Sequence, residues 1–325
     1  MTSLTLNGFL NSSVTNNIAD LRAQIADRSE EATTGFQADL VTHLNGRIDQ
    51  ALLGEKAIRE NADDRSRLDL RGARLSITNN ALTSIHELTS GIQFDMQSAI
   101  GSEDDQQARL VAGEAKAALG DALNRLNARH GERFLFSGNA TATPPYLDAD
   151  VLLDDLRTIA AGALDEADFA TQVQTYFEDP AGGFQTTFYQ GDQSASDPDS
   201  VLANQEAFAN LFQGLALTAL SGTGEGVPFA QAGTPALDAA LAKLEQGRTG
   251  IVDVQAGIGI RQASIESEDL LLEREETLLT LAFTEIAGKD QYEAATQLRE
   301  LEANLEASYL LTSRLSDLSL LNYLR

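Results

Sequence analysis

The sequence predicts a mainly α protein. A long antiparallel helical bundle or coiled coil is built from both the N- and C-terminal arms, and a central α+β domain is inserted between them. Three observations carry this prediction. Apolar residues recur at helical spacing in both arms, all six prolines lie between Pro144 and Pro235, and the segment 134–229 holds nine of the 13 Phe and three of the six Tyr residues. Proline-free arms therefore flank a centre of different composition.

The first arm begins with an amphipathic helix. Apolar side chains that step by three and four positions fall on one helix face, and this spacing is kept by Leu10, Val14, Ile18, Leu21 and Ile25. Between residues 35 and 72 the helical spacing continues, with breaks predicted at its glycines. From Leu75 to about Ile100 the spacing predicts one long helix.

A second helix of the first arm is predicted to turn back on the first. Ser102 and Asp105 have the spacing of a capping box, in which two side chains satisfy backbone amides at the start of a helix. The following helix carries alanines in its apolar columns, which allows a facing helix to approach closely. It ends before Gly131, so the first arm is predicted to be an antiparallel helical hairpin.

The centre combines predicted strands and helices. Phe134 and Phe136, followed by a Gly-Asn turn, indicate one short strand, and residues 186–192 indicate another. Apolar residues at helical spacing predict helices within 150–178 and 200–220. A segment rich in glycine and proline, 222–235, leads out of the centre.

The second arm contains the most regular pattern in the chain. Thr234 and Pro235 fit an N-cap followed by proline in the first helical turn. Apolar residues then recur every seven positions, as in packed helical bundles: Leu244, Ile251, Ile258, Ile265, Leu272, Leu279 and Ile286. Each glycine inside this repeat disfavours the helix by about 1 kcal/mol, so packing must hold it together. The column breaks near residues 288–290, which indicates a joint.

The final helix after this joint carries a long apolar stripe. Its seam alternates spacings of four and three, which is typical of a coiled coil, and further leucines widen it. The stripe includes Leu298, Leu301, Leu305, Leu311, Leu315, Leu318 and Leu321. Because nothing local covers a stripe of this length, other helices are expected to pack on it.

Composition argues against several classes of partner and chemistry. The formal charge of −26 disfavours nucleic acids and anionic membranes, and no apolar run approaches the roughly 18 residues that span a bilayer. There is no cysteine, so disulfides and thiol chemistry are excluded. The first residues lack the basic start and apolar run of a secretory signal. Export without a cleaved signal peptide is therefore the expected route if the protein leaves the cell.

No enzymatic site is predicted. The three histidines fall on different predicted elements and lack metal-binding spacing. The glycines at 257 and 259 lack the third glycine of a dinucleotide fingerprint and lie inside the heptad repeat. The acidic clusters lack the spacing of a calcium loop. The sequence therefore predicts no catalytic residue, no cofactor and no metal.

Three motifs, taken in order, resemble the flagellin superfamily. They are GERFLFSGNATATPPY at 131–146, FYQGD at 188–192 and LEASYLLTSRLSDLSLLNYLR at 305–325. The final motif resembles flagellins generally, whereas FLFSG followed by Y-x-G-D is more similar to subunits of the hook–filament junction. One departure is that TGFQADLVTHLNGRI, at 34–48, stands where the family usually has Gly-Lys-Arg and Asp-Asp-Pro.

The resemblance implies a division of the chain into three parts. The segments 1–34 and 291–325 are expected to form a terminal coiled-coil unit that is disordered until assembled. A helical bundle is expected from 35–133 and 235–290, and an outward-facing α+β domain from 134–234. The assembly interface would consist of the apolar stripes of both terminal helices together with Tyr323.

The resemblance also implies partners and a location. The expected partners are hook-associated protein 1, flagellin, neighbouring copies of the chain, and an export chaperone with the flagellar type III export apparatus. The expected location is the extracellular flagellum.

Three kinds of protein fit the sequence at this point. They are a junction subunit, flagellin itself, and a non-flagellar coiled-coil adaptor or enzyme. Flagellin would polymerise on its own, whereas an adaptor would form a closed oligomer. An enzyme would require a pocket with converging polar groups within 134–234.

Overall fold

A computed structural model describes residues 2–44, 48–222 and 227–323, and the side chains of 16–44, 48–222 and 227–314. Over these residues the protein is mainly α, which confirms the predicted fold class. The helices are α1 (Thr2–Thr34), α2 (Leu40–Leu44), α3 (Ile48–Leu88), α4 (Ile92–Gly101), α5 (Asp105–Leu126), α6 (Ala149–Gly162), α7 (Glu166–Glu178), α8 (Glu206–Leu220), α9 (Pro235–Ala287) and α10 (Gln291–Tyr323). The strands β1 (Arg129–His130) and β2 (Arg133–Phe134) form an antiparallel hairpin, and short helical turns cover Phe184–Phe188 and Pro228–Ala230.

The second arm begins and divides where the sequence predicts. The backbone N–H of Leu237 donates to the Thr234 hydroxyl at 3.3 Å, so Thr234 caps α9. α9 ends at Ala287, and the Asp290 carboxylate accepts from the N–H of Tyr292 at 2.8 Å to start α10. A capping side chain thus sits at the predicted joint between the two helices.

The helix breaks predicted at Gly54 and Gly72 are wrong, because α3 runs unbroken through both glycines. The break predicted at Gly46 lies outside the described residues.

Two further helix boundaries of the first arm differ from the prediction. The long helix predicted after residue 75 is divided, because α3 ends at Leu88 and Gly91 takes a left-handed φ of 86° before α4. α5 is capped by Asp104 rather than Ser102. The Asp104 carboxylate accepts from two first-turn amides at 3.0 Å each, whereas the Ser102 hydroxyl donates to a carbonyl of α4 at 2.8 Å.

The chain forms two compact units. The middle unit is Arg67–Glu268, and the terminal unit combines Met1–Ser66 with Asp269–Arg325. α3 and α9 each contribute residues to both units. The three-part division inferred from the sequence stays a prediction.

The middle unit contains a continuous apolar core. α5 packs on α4 and on α8, and α8 is buried from Phe208 to Leu220. The first three heptad residues of α9, which are Leu244, Ile251 and Ile258, are fully buried. Removing such side chains from water stabilises the fold by about 25 cal/mol per Å² of apolar surface.

Glycines allow α8 and α9 to approach each other closely. A Cβ atom on Gly247 would lie 2.6 Å from the Cα atom of Leu211, and one on Gly214 would lie 2.6 Å from the Cα atom of Leu244. Both distances are far shorter than an ordinary carbon contact, so only glycine fits. Close packing thereby offsets the low helix propensity of these glycines.

The strand predicted over 186–192 is wrong. Phe184–Phe188 form a helical turn of the wide π type, and only Tyr189 makes an isolated bridge, to Tyr146. Phe184 and Phe188 are buried whereas Thr186 is exposed. A strand would place all three side chains on one face, so burying both phenylalanines without the threonine favours the helical path.

The terminal unit contains two pairs of packed segments. α1 packs along α10. The start of α3 lies against the end of α9, where the Asn61 side-chain amide donates to the Leu272 carbonyl at 3.0 Å. Arg65 joins the same two helices by ion pairs to Asp269 at 2.9 Å and Glu276 at 2.6 Å.

Candidate assembly surface

Several predicted assembly residues lie on the packed helix pair α1 and α10. On each helix, three of them are half-buried while most of the residues between them are exposed. They are Ile18, Leu21 and Ile25 in α1 and Leu298, Leu301 and Leu305 in α10. Their spacing of three and four places them on one face of each helix, as the sequence indicates.

Of the other seven predicted residues, only Leu311 has a described side chain. Leu311 lies outside the seam, with 61% of its surface exposed. The remaining six have side chains that lie outside the described ones: Leu10, Val14, Leu315, Leu318, Leu321 and Tyr323.

The seam between α1 and α10 is only partly covered by the two helices themselves. Among the described side chains of α10, Ala294 alone is fully buried. Two facing helices shield one side of each apolar stripe, whereas a bundle of more helices shields its flanks as well. The half-exposed leucines of the pair are therefore suited to contact further helices.

A polar contact also ties the two helices together. Arg22 donates to the Tyr309 hydroxyl from Nη2 at 2.6 Å and from Nε at 3.1 Å, and its guanidinium carbon lies 5.8 Å from the centre of the tyrosine ring. The sequence reasoning missed this pair because neither residue belongs to an apolar stripe. The available signal was their position. Arg22 directly follows the seam residue Leu21, and Tyr309 directly follows Ser308, which continues the seam three positions after Leu305.

Where α1 and α9 end, residues 35–37 cross residues 287–289. The N–H of Lys289 donates to the Gly35 carbonyl at 2.8 Å, and the N–H of Gln37 donates to the Ala287 carbonyl at 2.9 Å. Gly35 takes a left-handed φ of 77°, a conformation that favours glycine. The crossing therefore fixes the ends of α1 and α9 side by side.

A buried carboxylate supports this crossing. Glu31 is 1% exposed and forms an ion pair with Arg28. It also accepts from the N–H of Ala38 at 3.2 Å. A buried charge requires such partners, so Glu31 joins the last turn of α1 to the segment that follows it. Its acidic type gave no sign of this burial in the sequence.

A second apolar column lies on the part of α9 that belongs to the terminal unit. Leu271, Leu278 and Leu281 share one side of the helix and are 59%, 67% and 63% exposed. Single exposed leucines are ordinary on protein surfaces, but a column of them is typical of an interaction surface. The terminal unit therefore leaves apolar surface open on α9 as well as on α10.

The central motifs form a structural cluster in the middle unit. The Tyr146 hydroxyl donates to the Ala203 carbonyl, and burial raises the pKa of Tyr146 well above its ordinary value. Burial likewise raises the pKa of Tyr189 to about 12, and its hydroxyl donates to the Asp192 carbonyl at 2.9 Å. The raised pKa values keep both phenols protonated to a higher pH than an exposed phenol, and as donors the two hydroxyls hold the core together.

The second motif is joined to the first by backbone contacts. The N–H of Asp192 donates to the Ser137 carbonyl at 2.9 Å, and the N–H of Gln190 donates to the Pro145 carbonyl at 2.8 Å. Gly138 takes a φ of 60°, and a Cβ atom on it would lie 2.7 Å from the Asp192 carbonyl oxygen. The close approach of the two motifs therefore depends on this glycine.

The described part of the chain offers no arrangement for metal chemistry or for membrane insertion. Among the described side chains, those of 16–44, 48–222 and 227–314, no three from His, Asp or Glu converge as metal ligands. None of the helices described there has a stretch long and apolar enough to cross a bilayer.

A comparison with protein families places the second arm among known sequences. Residues 241–324 match the bacterial flagellin C-terminal helical region. The match begins in α9, three residues before the first heptad residue Leu244, and includes all of α10. No curated protein matches the chain. The family match supports the flagellin superfamily, and with it a structural part in a flagellum rather than catalysis.

Proposed function

We propose, from the match to the flagellin superfamily, that the chain acts as hook-associated protein 3 does, as the structural subunit that joins the hook end to the filament. The match to the flagellin C-terminal region supports a flagellar subunit in general. The order of FLFSG and Y-x-G-D motifs favours the junction within that superfamily. The observation that carries the proposal is the half-exposed seam between α1 and α10, which leaves an apolar surface for neighbours to cover.

The mechanism is coupled folding and assembly. In a lone subunit the apolar side chains in the seam of α1 and α10 are only half-buried, so their burial contributes little free energy. This contribution does not offset the conformational entropy that is lost when the two helices become ordered. When neighbouring subunits cover the stripes, the added burial stabilises the helices in place. Docking and the ordering of the terminal unit are therefore one event.

The partners follow from the position at the junction. One face of the assembled subunits contacts hook-associated protein 1, the other contacts flagellin, and like copies lie beside each other. Before export through the type III apparatus, a chaperone masks the terminal stripe, because an exposed apolar surface would associate prematurely. The protein then acts outside the cell, in the flagellum.

Flagellin itself is the second candidate, because the matched region is named for flagellin. The two functions differ in what purified subunits do. A junction subunit binds hook ends and starts filament growth by added flagellin, but forms no long filaments alone. Electron microscopy of the purified chain, with and without hooks, separates them. Long filaments from the chain alone would establish flagellin, and a closed oligomer that ignores hooks would establish an adaptor.

A truncation tests the part played by the last helix. Removing Leu318–Arg325 is expected to abolish attachment to hooks while the middle unit stays folded, as judged by its thermal unfolding. Leu305→Asp is expected to weaken attachment in the same way because it places a charge in the seam. Glu306→Asp, at the adjacent exposed position, is the matched control and should attach normally. Normal attachment of the truncated chain refutes the mechanism.

A further inference from the structure

A basic groove lies on the surface of the middle unit. It has a volume of about 330 Å³, and its walls come from one side of α3 and from the β1–β2 hairpin. The lining residues are Arg67, Leu70, Arg71, Arg74, His130 and Arg133. Four guanidinium groups around one groove are notable in a chain with 49 acidic and only 23 basic residues.

Internal ion pairs hold two of these guanidinium groups in position. Arg71 pairs with Asp199 at 2.7 Å and, more weakly, with Glu268 at 3.9 Å, and Arg74 pairs with Asp197 at 3.1 Å. A guanidinium has five N–H donors, and each of these short pairs engages only part of that set. The aspartates thus orient the arginines, while Arg133 adds an exposed side chain on the hairpin. Such an arrangement suits carboxylates, which arginine binds by paired hydrogen bonds.

A protruding acidic turn lies elsewhere on the same unit. The residues Glu103, Asp104 and Asp105 form the only run of three consecutive acidic residues in the sequence. All seven residues from 101 to 107 are exposed at the turn between α4 and α5. Glu103 takes a left-handed φ of 55°, which turns the chain sharply there. A convex acidic turn has the shape and charge that a concave arginine groove accepts.

We propose that the acidic turn 103–105 of one copy docks in the arginine groove of a second copy. This proposal rests on the proposed assembly function and names one contact between like subunits. Copies with a charge of −26 repel each other, so a local contact of opposite charges provides orientation as well as attraction. Turn and groove are different surfaces, so copies that dock one after another in the same sense make head-to-tail contacts and leave a free site at each end.

The geometry sets the direction of this contact. α5 runs for 22 residues from the acidic turn towards the β1–β2 hairpin, which is roughly 33 Å at 1.5 Å per residue. When the acidic turn of one copy docks in the groove of the next, successive copies are therefore displaced along the direction of α5. Copies that dock in the same sense form a row or a ring.

Cysteine cross-linking tests the contact, since the chain contains no cysteine. Full-length Ser102→Cys protein is mixed with full-length His130→Cys protein at high concentration, oxidised, and examined for disulfide-linked dimers. The expected yield of mixed dimers is at least about tenfold above that of Ser102→Cys mixed with Lys116→Cys, an exposed control position on α5. A yield equal to the control overturns the proposal.

A charge exchange shows whether the contact is ionic. Two charge reversals are introduced separately into each of the two cysteine proteins. One is Arg133→Glu in the groove, and the other is the double change Glu103→Lys and Asp105→Lys in the turn. Either change alone should reduce cross-linking to the control level. Cross-linking should be restored when the His130→Cys copy carries Arg133→Glu and the Ser102→Cys copy carries the double lysine change. Lys116→Glu is the matched reversal outside the groove and should have no effect. Failure of the exchange to restore cross-linking overturns the proposal, and so does a yield that all reversals leave unchanged.

These results are separable from the proposed function. If the truncation at Leu318 abolishes hook attachment but cross-linking stays at the control level, the junction function stands and the contact does not exist. If cross-linking follows the charges while the truncated chain attaches normally, the contact stands and the junction mechanism is wrong.

Discussion

The heptad column of α9 keeps the same spacing in both units but is covered to different extents. In the middle unit Leu244, Ile251 and Ile258 are fully buried. In the terminal unit the repeat continues through Leu272, Leu279 and Ile286, and all three are only half-buried. A regular apolar column therefore indicates that a helix will be packed, whereas the extent of burial depends on which helices the chain itself provides.

The two units also differ in what they bury. Among the described side chains, the buried apolar residues of the terminal unit are Leu44 and three alanines, at 51, 287 and 294. The middle unit fully buries Tyr146 and seven phenylalanines. Because large buried side chains contribute most of the stability of a core, the middle unit is expected to fold alone and the terminal unit to depend on its neighbours.

The largest expected difference is in amide exchange of the isolated subunit. Backbone amides of α5 and α8 should exchange at least about a thousandfold more slowly than those of α1 and α10, because only the former lie in a core that opens with global unfolding. Hydrogen exchange followed by mass spectrometry measures this. Assembly should then protect α1 and α10. Equal protection of both units in the isolated subunit contradicts the proposed mechanism.

A pair of matched truncations in α9 sharpens the contrast in stability. Leu244→Ala removes a fully buried side chain and is expected to cost about 2–5 kcal/mol. Leu279→Ala, at a half-buried position of the same column, is expected to cost about 1 kcal/mol in the isolated subunit. Urea unfolding followed by circular dichroism compares them. Equal losses would mean that both parts of the column are equally packed.

Two glycines of α9 should respond to alanine with opposite signs. Gly247→Ala places a methyl group against α8 and should destabilise the middle unit by about 1–3 kcal/mol. Gly257→Ala meets no atom within 4 Å, so it should stabilise the helix by up to about 1 kcal/mol. Thermal unfolding of both variants provides the measurement. If Gly247→Ala stabilised the protein, the close approach of α8 and α9 would be wrong.

The smallest expected effect is a loss of stability in acid, mainly in the middle unit. Three carboxyl groups there have a lowered pKa because each accepts a hydrogen bond. The donors are the backbone of Leu164 for Asp168, the side chain of Lys243 for Glu178, and the backbone of Ser194 for Asp192. The pKa of each carboxyl is lower in the folded protein than in the unfolded chain. Its contribution to stability is therefore fully present above the pKa of the unfolded chain and is lost as pH falls through the pKa of the folded protein. Unfolding measured between about pH 5 and pH 2 tests this.

The matched control for the acid prediction is Asp192→Asn. In this variant the stability of the middle unit should fall less in acid than it does in the unchanged chain. This substitution removes one of the titrating groups at a half-buried position. Identical acid sensitivity of the two proteins would show that this carboxyl contributes nothing.

Much of the fold was predictable because it follows from local rules. The start of α9 at Pro235 and the joint before α10 are given by a capping residue, a proline and a break in an apolar column. The division of the first long helix was missed, since Gly91 is a single residue within continuous apolar spacing. The turn at 184–188 was missed because aromatic residues favour strands locally, whereas the buried core around Tyr146 selects a helical path.

The candidate surface was predictable only in part. The spacing of Leu298, Leu301 and Leu305 indicates the packed side of α10 from the sequence alone. The contact of Arg22 with Tyr309 and the burial of Glu31 depend on how distant segments meet, and no local pattern encodes that. The arginine groove likewise combines a helix with a hairpin more than 50 residues away along the chain.

The contact between Arg22 and Tyr309 joins residues that are 287 positions apart in the sequence. Closing a flexible loop of that length costs roughly 5 kcal/mol in chain entropy. When the intervening middle unit folds first, the flexible chain between the two ends becomes shorter. Most of the entropy cost of bringing the ends together is then already compensated by the folding of that unit. Contacts of such long sequence separation also form slowly. We therefore expect the middle of the chain to fold first and its two ends to come together last.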